Sequence, residues 1–349
     1  MKGRQIVLGP LFGHDAAALV VDGRLEELAI AAGDAIPLAP GAICRAKVDR
    51  LVKGQGGVFL RLPDGLSGYL RDRSGLREGQ VLTVQVTGAA EDGKAIPVSS
   101  RLLLRGRYVI VTPGAPGVNV SRRIRDADLR NSLETMGQAA LHGMETPPGL
   151  IFRSISADSD ADDIQDELDN LLAIATALTS DGETALELLL DAPAPSETAW
   201  CDWGDPAPDS VLDGVDAMAD CGVDAAVEAL LSERVDLGQQ AWAAIETTRA
   251  LAAVDVNTGS DNSPAAGLKA NIALARELPR QLRLRGIGGQ IVVDFAPMAK
   301  KDRGTLEQIL RAAFKRESAE TVLIGWTAMG LFEINRKRDR IPLQQQIGG

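Results

Sequence analysis

The 349-residue sequence predicts an α/β chain of several domains, on three observations. Leu251–Val254 and Ile291–Val293 are short Val- and Ile-rich runs, and the stretch between them, Lys269 to Arg285, is long enough for a helix. Strand, helix and strand in that order suit a parallel crossover. Upstream, from Gly41 to Arg107, the pattern changes to closely spaced short strands separated by Gly and charged turns, which suits a small β-barrel. Charge is also divided sharply beneath a net −11: residues 41–130 carry 16 Lys and Arg against 8 Asp and Glu, residues 154–240 carry 1 against 22, and residues 268–340 carry 15 against 8. The two basic segments can neutralise a polyanion, while the acidic block between them faces away from it or only keeps the chain soluble.

A 45% hydrophobic composition is ordinary for a globular chain of this length. No run approaches transmembrane length, and the start, MKGRQIVLGPLFG, lacks the apolar core of a signal peptide. A cytoplasmic location with no membrane contact is therefore expected. Cys44, Cys201 and Cys221 are odd in number and form no CxxC, against both a disulfide framework and a local zinc knuckle. With only His14 and His142 present, a His-rich metal site is not expected.

Taken in order, residues 1–40 offer one alternating segment, Ala17 to Val21, a hairpin-type turn at Asp22-Gly23, and a second strand, Leu25 to Ile30, with Pro37 and Pro40 marking a boundary. Five strands follow in residues 41–107: Ile43–Val48, Gly57–Leu62, Gly68–Leu70, Val81–Val86 and Ala95–Ser99. Their number and spacing predict an OB-type barrel. Residues 108–190 hold a strand at Tyr108–Thr112, a Pro/Gly loop, Val120-Ser-Arg-Arg-Ile, a strand ending in Arg153 and Ser154, and two helices over Asp160–Leu190 joined by a turn at Ser180-Asp181-Gly182. Residues 191–250 are Pro-marked, then acidic and Ala-rich, with a helix over Val211–Leu231 and a strand over Gln239–Glu246. Residues 251–349 carry the crossover, a helix over Gly304–Glu317 and a strand over Thr321–Gly325; Pro279 should kink the crossover helix.

The crossover places chemistry. Each of its strands closes on an aspartate, Asp255 and Asp294, so the fold brings two carboxylates to one sheet edge, where open α/β sheets carry functional residues. Facing carboxylates repel unless one is protonated or a cation lies between them. An incomplete set of oxygen ligands suits Mg²⁺, which keeps waters and borrows phosphate oxygens. Asn257, two residues past Asp255, could orient a carboxylate or a water. Singly, either aspartate could equally cap a turn or a helix. Arg276, Arg280 and Arg283 fall on one helix face, and carboxylates with an arginine stripe describe a metal site facing a polyanion.

Asp-Val-Asn-Thr-Gly at 255–259, Gln-Leu-Arg-Leu-Arg-Gly-Ile-Gly-Gly at 281–289 and Ile-Val-Val-Asp-Phe at 291–295 resemble the catalytic core of the ribonuclease E/G family. The likeness is dense over 251–298 and collinear over most of the chain. It implies an RNase H-like subdomain (1–40 and 191–250) interrupted by an OB-type RNA-binding barrel (41–107) and a 5′-sensor region (108–190), then a DNase I-like catalytic subdomain (251–349) that holds Mg²⁺. Gly-Gly-Val-Phe-Leu and Gly-Tyr-Leu resemble the family's barrel, where aromatics at the positions of Phe59 and Tyr69 pack on RNA bases. Phe59 could instead be core, because it sits in an alternating strand. Lys94 matches a lysine that contacts the strand, though an exposed turn lysine reads equally well, and Arg122 matches a basic Ser-Arg-Arg-Ile stretch. Arg153 and Ser154 match an arginine and threonine that hold the RNA 5′ monophosphate; a guanidinium and a hydroxyl suit that group, and Ser154 could also cap the helix that follows. Thr327-Ala328-Met329-Gly330 stands where relatives carry an arginine that supports phosphate binding, so the preference for a 5′ monophosphate should be reduced. No Cys-Pro-x-Cys follows the Gly-Leu-Phe-Glu-Ile-Asn-Arg stretch, so a zinc-linked dimer is not expected.

These observations predict a Mg²⁺-dependent endoribonuclease acting on single-stranded RNA, with Asp255, Asn257 and Asp294 at its centre. A non-catalytic RNA-binding protein of the same fold and a metal phosphodiesterase acting on DNA are the rival readings.

Overall fold

The computed structural model describes residues 3–33, 36, 38–51, 56–71, 75–90, 93–179, 184–261 and 263–348. The chain divides into two compact units, Met1–Arg24 with Ala29–Ala217, and Leu25–Leu28 with Met218–Gly349.

The first unit holds the barrel. Ile43–Leu51, Val58–Arg61, Ser67–Leu70, Ile96–Ser99 and Val81–Val86 pair in that order, and Val81–Val86 pairs back onto Ile43–Leu51 to close the ring. Ser67–Leu70 and Ile96–Ser99 are the one parallel pair in the ring. Alternation does the sorting: Val58, Leu60, Leu70, Val84, Val86 and Val98 fill the interior while their neighbours face out. All five strands expected from the sequence are present, which agrees with an OB-type barrel.

Around it lie two further layers of the same unit. Arg4–Leu11 pairs antiparallel with His14–Val21 and parallel with Ser210–Asp213, and Ala199 and Trp203 of the helix Pro195–Trp203 pack on Ile6, Ala17 and Leu19. A four-stranded sheet of Gly117–Val120, Gly149–Phe152, Val109–Thr112 and Leu104–Arg105 is covered by helices Ala127–Ala140 and Ala161–Thr179. Two expectations fail here. A single helix, Ala161–Thr179, replaces the expected helix pair, because Leu188–Leu190 is drawn into pairing with Ile43 and Cys44. Val211 to Asp213 is strand, since its alternating side chains register against Arg4–Leu11, and only Ala217–Asp220 and Val223–Leu231 are helical. The turn expected at Ser180-Asp181-Gly182 and the boundary marker Pro37 lie outside the described residues.

The second unit is one six-stranded sheet, in the order Arg234–Gly238, Ala241–Thr247, Ala252–Asn257, Gly289–Asp294, Phe332–Arg336, Thr321–Trp326. Ala252–Asn257 and Gly289–Asp294 are parallel and joined by the helix Pro264–Leu284, which is the crossover expected from the sequence. Leu274, Leu278 and Leu282 form a stripe on that helix and bury against Val254, Ile291 and Val293. Ser263 caps its start by accepting from the Ala266 N–H at 3.2 Å, with Pro264 in the first turn. At its end, Ile287 N–H donates to Leu282 O at 2.8 Å and Gly286 N–H to Arg283 O at 3.2 Å, a Schellman close. Gly286 has φ +65°, and a Cβ there would sit 2.3 Å from Ile341 O, so only glycine fits. The helix assignment is continuous from Pro264 to Leu284, with Pro279 buried inside it.

Beyond the apolar core, the unit is locked by a buried ionic bridge. The Glu317 carboxylate, 4% exposed, pairs with Arg283 and, at 2.8 Å, with Arg336, whose side chain is 2% exposed. Removing the carboxylate leaves the Arg336 guanidinium without its acid in a dry site and takes one of three acids from Arg283. Glu317→Ala is expected to lower unfolding free energy by about 3–5 kcal/mol, read as a shift of the urea midpoint. A loss below 1 kcal/mol would mean that Thr321, Glu26 and Glu27 already satisfy the two arginines.

Candidate active site and nucleic-acid face

Strand pairing decides where the two aspartates sit. Asp255 and Asp294 are direct register partners on the parallel strands Ala252–Asn257 and Gly289–Asp294, so their Cα atoms are one strand spacing apart, about 4.8 Å. Val254, Val256, Val293 and Phe295 on either side of them are buried toward the helix, so both carboxylates project from the opposite, solvent-facing side of the sheet. Asn257 projects from that side too, and its Nδ2 donates to Asp255 Oδ2 at 2.8 Å. The three residues singled out from the sequence are therefore together.

The segment behind Asp294 is held firmly. Asn271, fully buried on the crossover helix, donates from Nδ2 to Ala296 O and accepts at Oδ1 from Ala296 N–H, both at 2.9 Å. A Cβ on Gly267 would stand 2.4 Å from Pro297 O, so the helix and this turn touch backbone to backbone. Asp294 is thus presented from a fixed turn and not from a free loop.

Among the described residues, neither carboxylate is ion-paired, and no group of three or more His, Cys, Asp or Glu side chains could hold a metal. Two unpaired carboxylates in register, braced by an amide, fit a hard divalent cation whose remaining positions go to water and phosphate oxygens.

The arginine stripe needs correcting. The crossover helix covers the apolar face of the sheet, so Arg276, Arg280 and Arg283 do not share the carboxylates' face. Arg280 donates to Leu25 O at 2.6 Å and pairs with Glu277, and Arg283 pairs with Glu26, Glu27 and Glu317. Their side chains are 15% and 11% exposed. Arg276 remains exposed. The i, i+4, i+7 spacing is real, but Arg280 and Arg283 face acids of their own unit.

On the barrel, Phe59 and Tyr69 are register partners whose ring centroids lie 5.5 Å apart, and both project outward from the core. This resolves the open question about Phe59, which is not part of the interior. The Arg50 guanidinium lies over Phe59 at 4.7 Å, a third member that sequence reasoning missed. A side chain on Gly57 would collide with the Tyr69 hydroxyl at 2.2 Å, so the ring lies across bare backbone. Lys94 is exposed ahead of Ile96–Ser99, and Arg122 is exposed in the turn after Gly117–Val120.

Arg153 and Ser154 follow the strand Gly149–Phe152 directly, but both already have partners. Arg153 Nη1 donates to Gly106 O at 2.7 Å, and Ser154 Oγ donates to Asp205 Oδ2 at 2.6 Å. Ser154 makes no cap hydrogen bond to the next turn, and the turn's own cap position is Arg153. Near Thr327–Gly330, where the sequence offers no cation, Arg303 stacks over Trp326 at 4.3 Å, and a Cβ on Gly330 would lie 3.5 Å from its Nη2.

The ribonuclease E/G family profile matches residues 103–212 and 209–339, most of the chain. The chain belongs to the ribonuclease E/G family. It is 27% identical to Ribonuclease E of Synechocystis, with 99% of this chain aligned to 58% of that protein. It is also 27% identical to Ribonuclease G of Escherichia coli K12, over 80% of this chain and 64% of that one. A Ribonuclease E/G-like chloroplastic protein of Arabidopsis thaliana is 25% identical over 76% of this chain and 31% of its own length. The chain spans between about a third and two thirds of these relatives.

Within this ribonuclease E/G chain, like charges placed side by side on adjacent strands cost stability. Asp294→Asn in EDTA is therefore expected to raise the urea midpoint, by up to about 1 kcal/mol. A lowered midpoint would reveal that Asp294 makes a stabilising contact instead of being held against its neighbour.

Proposed function

We propose that this chain is an endoribonuclease that cuts single-stranded RNA by hydrolysis at Asp255 and Asp294 with the aid of Mg²⁺. The observation that carries the reading is the register pairing of the two carboxylates on the solvent face, with Asn257 braced on Asp255. Membership of the ribonuclease E/G family, whose relatives are named ribonucleases, supports RNA as the polymer. In this reading the second unit supplies the DNase I-like catalytic part, and the sheet built on Arg4–Leu11 supplies the RNase H-like part. Products would carry a 5′ phosphate and a 3′ hydroxyl.

The chain's own residues divide the work. Asp255 and Asp294 would hold the ion, which when bound supplies a Lewis acid and a water of lowered pKa. Asn257 fixes the rotamer of Asp255 through its amide hydrogen bond. Asn271 keeps the turn after Asp294 from drifting, through the paired bonds to Ala296. On the barrel, Phe59 and Tyr69 offer ring faces on which bases stack without regard to sequence, each stack contributing about 1–3 kcal/mol. Arg50 adds a guanidinium beside them, and Lys94 and Arg122 are exposed for phosphate contact.

The 5′ end is read weakly in this proposal. The Ser154 hydroxyl is engaged by the Asp205 carboxylate, which also repels an incoming phosphate, and Ala328 brings no charge of its own.

One end-labelled RNA carrying a 5′ monophosphate or a 5′ hydroxyl, incubated with Mg²⁺ or EDTA beside a DNA of the same sequence, tests the whole reading. Internal cuts are expected in RNA with Mg²⁺ only, at least about 100-fold slower in Asp294→Asn, with the two 5′ forms cut at similar rates. Phe59→Ala should raise KM about 5- to 10-fold with little change in kcat. RNA binding with no cuts by folded wild type would leave an RNA-binding protein, and equal cutting of the DNA would leave a general phosphodiesterase.

A further inference from the structure

The carboxylate face of the six-stranded sheet carries an aromatic side chain that no part of the proposed chemistry uses. Trp242 is the direct cross-strand partner of Asn257. Its neighbours Ala241 and Ala243 are buried, so its half-buried ring stands on the same solvent side as Asp255, Asn257 and Asp294. The Arg234 guanidinium lies over the ring at 4.5 Å. Arg234 pairs with Ala244, and Ala244 pairs with Asp255, so Arg234, Ala244, Asp255 and Asp294 form one row across four strands. Arg234 is also the single basic residue in the block 154–240. That lone cation is on the carboxylate face.

We propose that the Trp242–Arg234 pair is a stacking platform for a nucleobase beside the scissile phosphate. Strand spacings put Trp242 roughly 10 Å from the midpoint of the two aspartates, measured between Cα positions. A nucleoside attached to a phosphate at the carboxylates reaches that far. The indole supplies a wide π-face, and the guanidinium plane both polarises it and stacks on bases itself. Arg234 also supplies positive charge in the same cross-strand row as the two carboxylates. Asp236, opposite Trp242, accepts at Oδ1 from the Gly238 N–H at 2.9 Å within its own turn, and Glu333 lies opposite Val292 on the far side of Asp294. A stack of this kind ignores base identity but requires a base, so it favours unpaired strands over duplex.

The proposal rests on the nuclease reading for its substrate, and it is tested on binding so that the two can fail separately. Anisotropy of a labelled RNA of about ten nucleotides would be followed with Asp294→Asn protein in EDTA, so that nothing is cut. Adding Trp242→Ala should weaken binding roughly 5- to 150-fold, and Trp242→Phe should recover most of that loss. Replacing one nucleotide at a time by an abasic residue should give a penalty at one position that disappears in Trp242→Ala. A photo-crosslink from 5-iodouridine at that position to residue 242, located by mass spectrometry, requires no substitution at Trp242 and guards against a misfolded variant. Equal affinity of Trp242→Ala and its parent, or an abasic penalty that persists without the ring, overturns the platform while leaving any nuclease activity standing. A ring-dependent affinity in a protein that never cuts RNA keeps the platform and removes the nuclease reading. No measurable RNA binding removes both.

Discussion

The register between Ala252–Asn257 and Gly289–Asp294 is the constraint on which the site depends. Side chains alternate along a strand, so a slip of one residue would turn Asp294 into the helix-covered core and bring Val293 out beside Asp255. That slip is opposed at several places. Leu274, Leu278 and Leu282 fit against Val254, Ile291 and Val293 only in the present pairing. Asn271 would lose both bonds to Ala296, leaving buried polar groups without partners at about 1–3 kcal/mol each. The crossover helix is stopped by Gly286 against Ile341 O, which fixes the length of chain available to start the second strand. Packing on one face therefore sets the spacing of charges on the other.

The same division of faces explains why the aspartates were legible and the arginine stripe was misread. An aspartate inside an apolar run announces that it points away from the core, because nothing else could tolerate it there. Arg276, Arg280 and Arg283 announce only that they share a side of a helix, not what that side meets. Glu26 and Glu27, which pair with Arg280 and Arg283, lie more than 240 positions earlier in the chain, where short strand-like sequence gives no sign of a destination. Local periodicity reports orientation relative to the core, whereas ion pairing of this range is set by tertiary structure.

A similar limit separates the barrel from its surroundings. Its five strands pair mostly with neighbours in sequence, so alternation and turn residues were enough to find them. Ser210–Asp213 reads as helix by composition because its pairing with Arg4–Leu11 joins opposite ends of the first unit. Arg153 and Ser154 were found by motif, yet the occupant of Ser154, Asp205, comes from a Pro-marked stretch that carries no motif. Trp242 lies within the strand expected over Gln239–Glu246 but was not singled out from the sequence. Its meaning emerged only once that strand was seen to pair with the one bearing Asp255 and Asn257.

The acidic block also changes meaning when its side chains are followed one by one. Glu167 accepts from three consecutive backbone N–H groups, Arg107, Tyr108 and Val109, at 2.8, 2.7 and 2.9 Å. A Cβ on Gly106 would meet that carboxylate at 2.2 Å, so the turn is shaped around it. Asp209 takes the Arg4 N–H at 2.7 Å, Asp202 pairs with Arg105, and Glu197 closes the start of its own helix on the Ala194 N–H. These carboxylates do the work of missing strand and helix partners, and a charge-assisted bond to backbone N–H is among the stronger ones available. A net charge counted from the sequence treats them as a solvated repulsive surface. Glu197, Asp202 and Asp209 make these bonds while staying exposed, so the block remains a charged surface, and a strongly acidic chain can meet a polyanion only where basic residues face out on another surface.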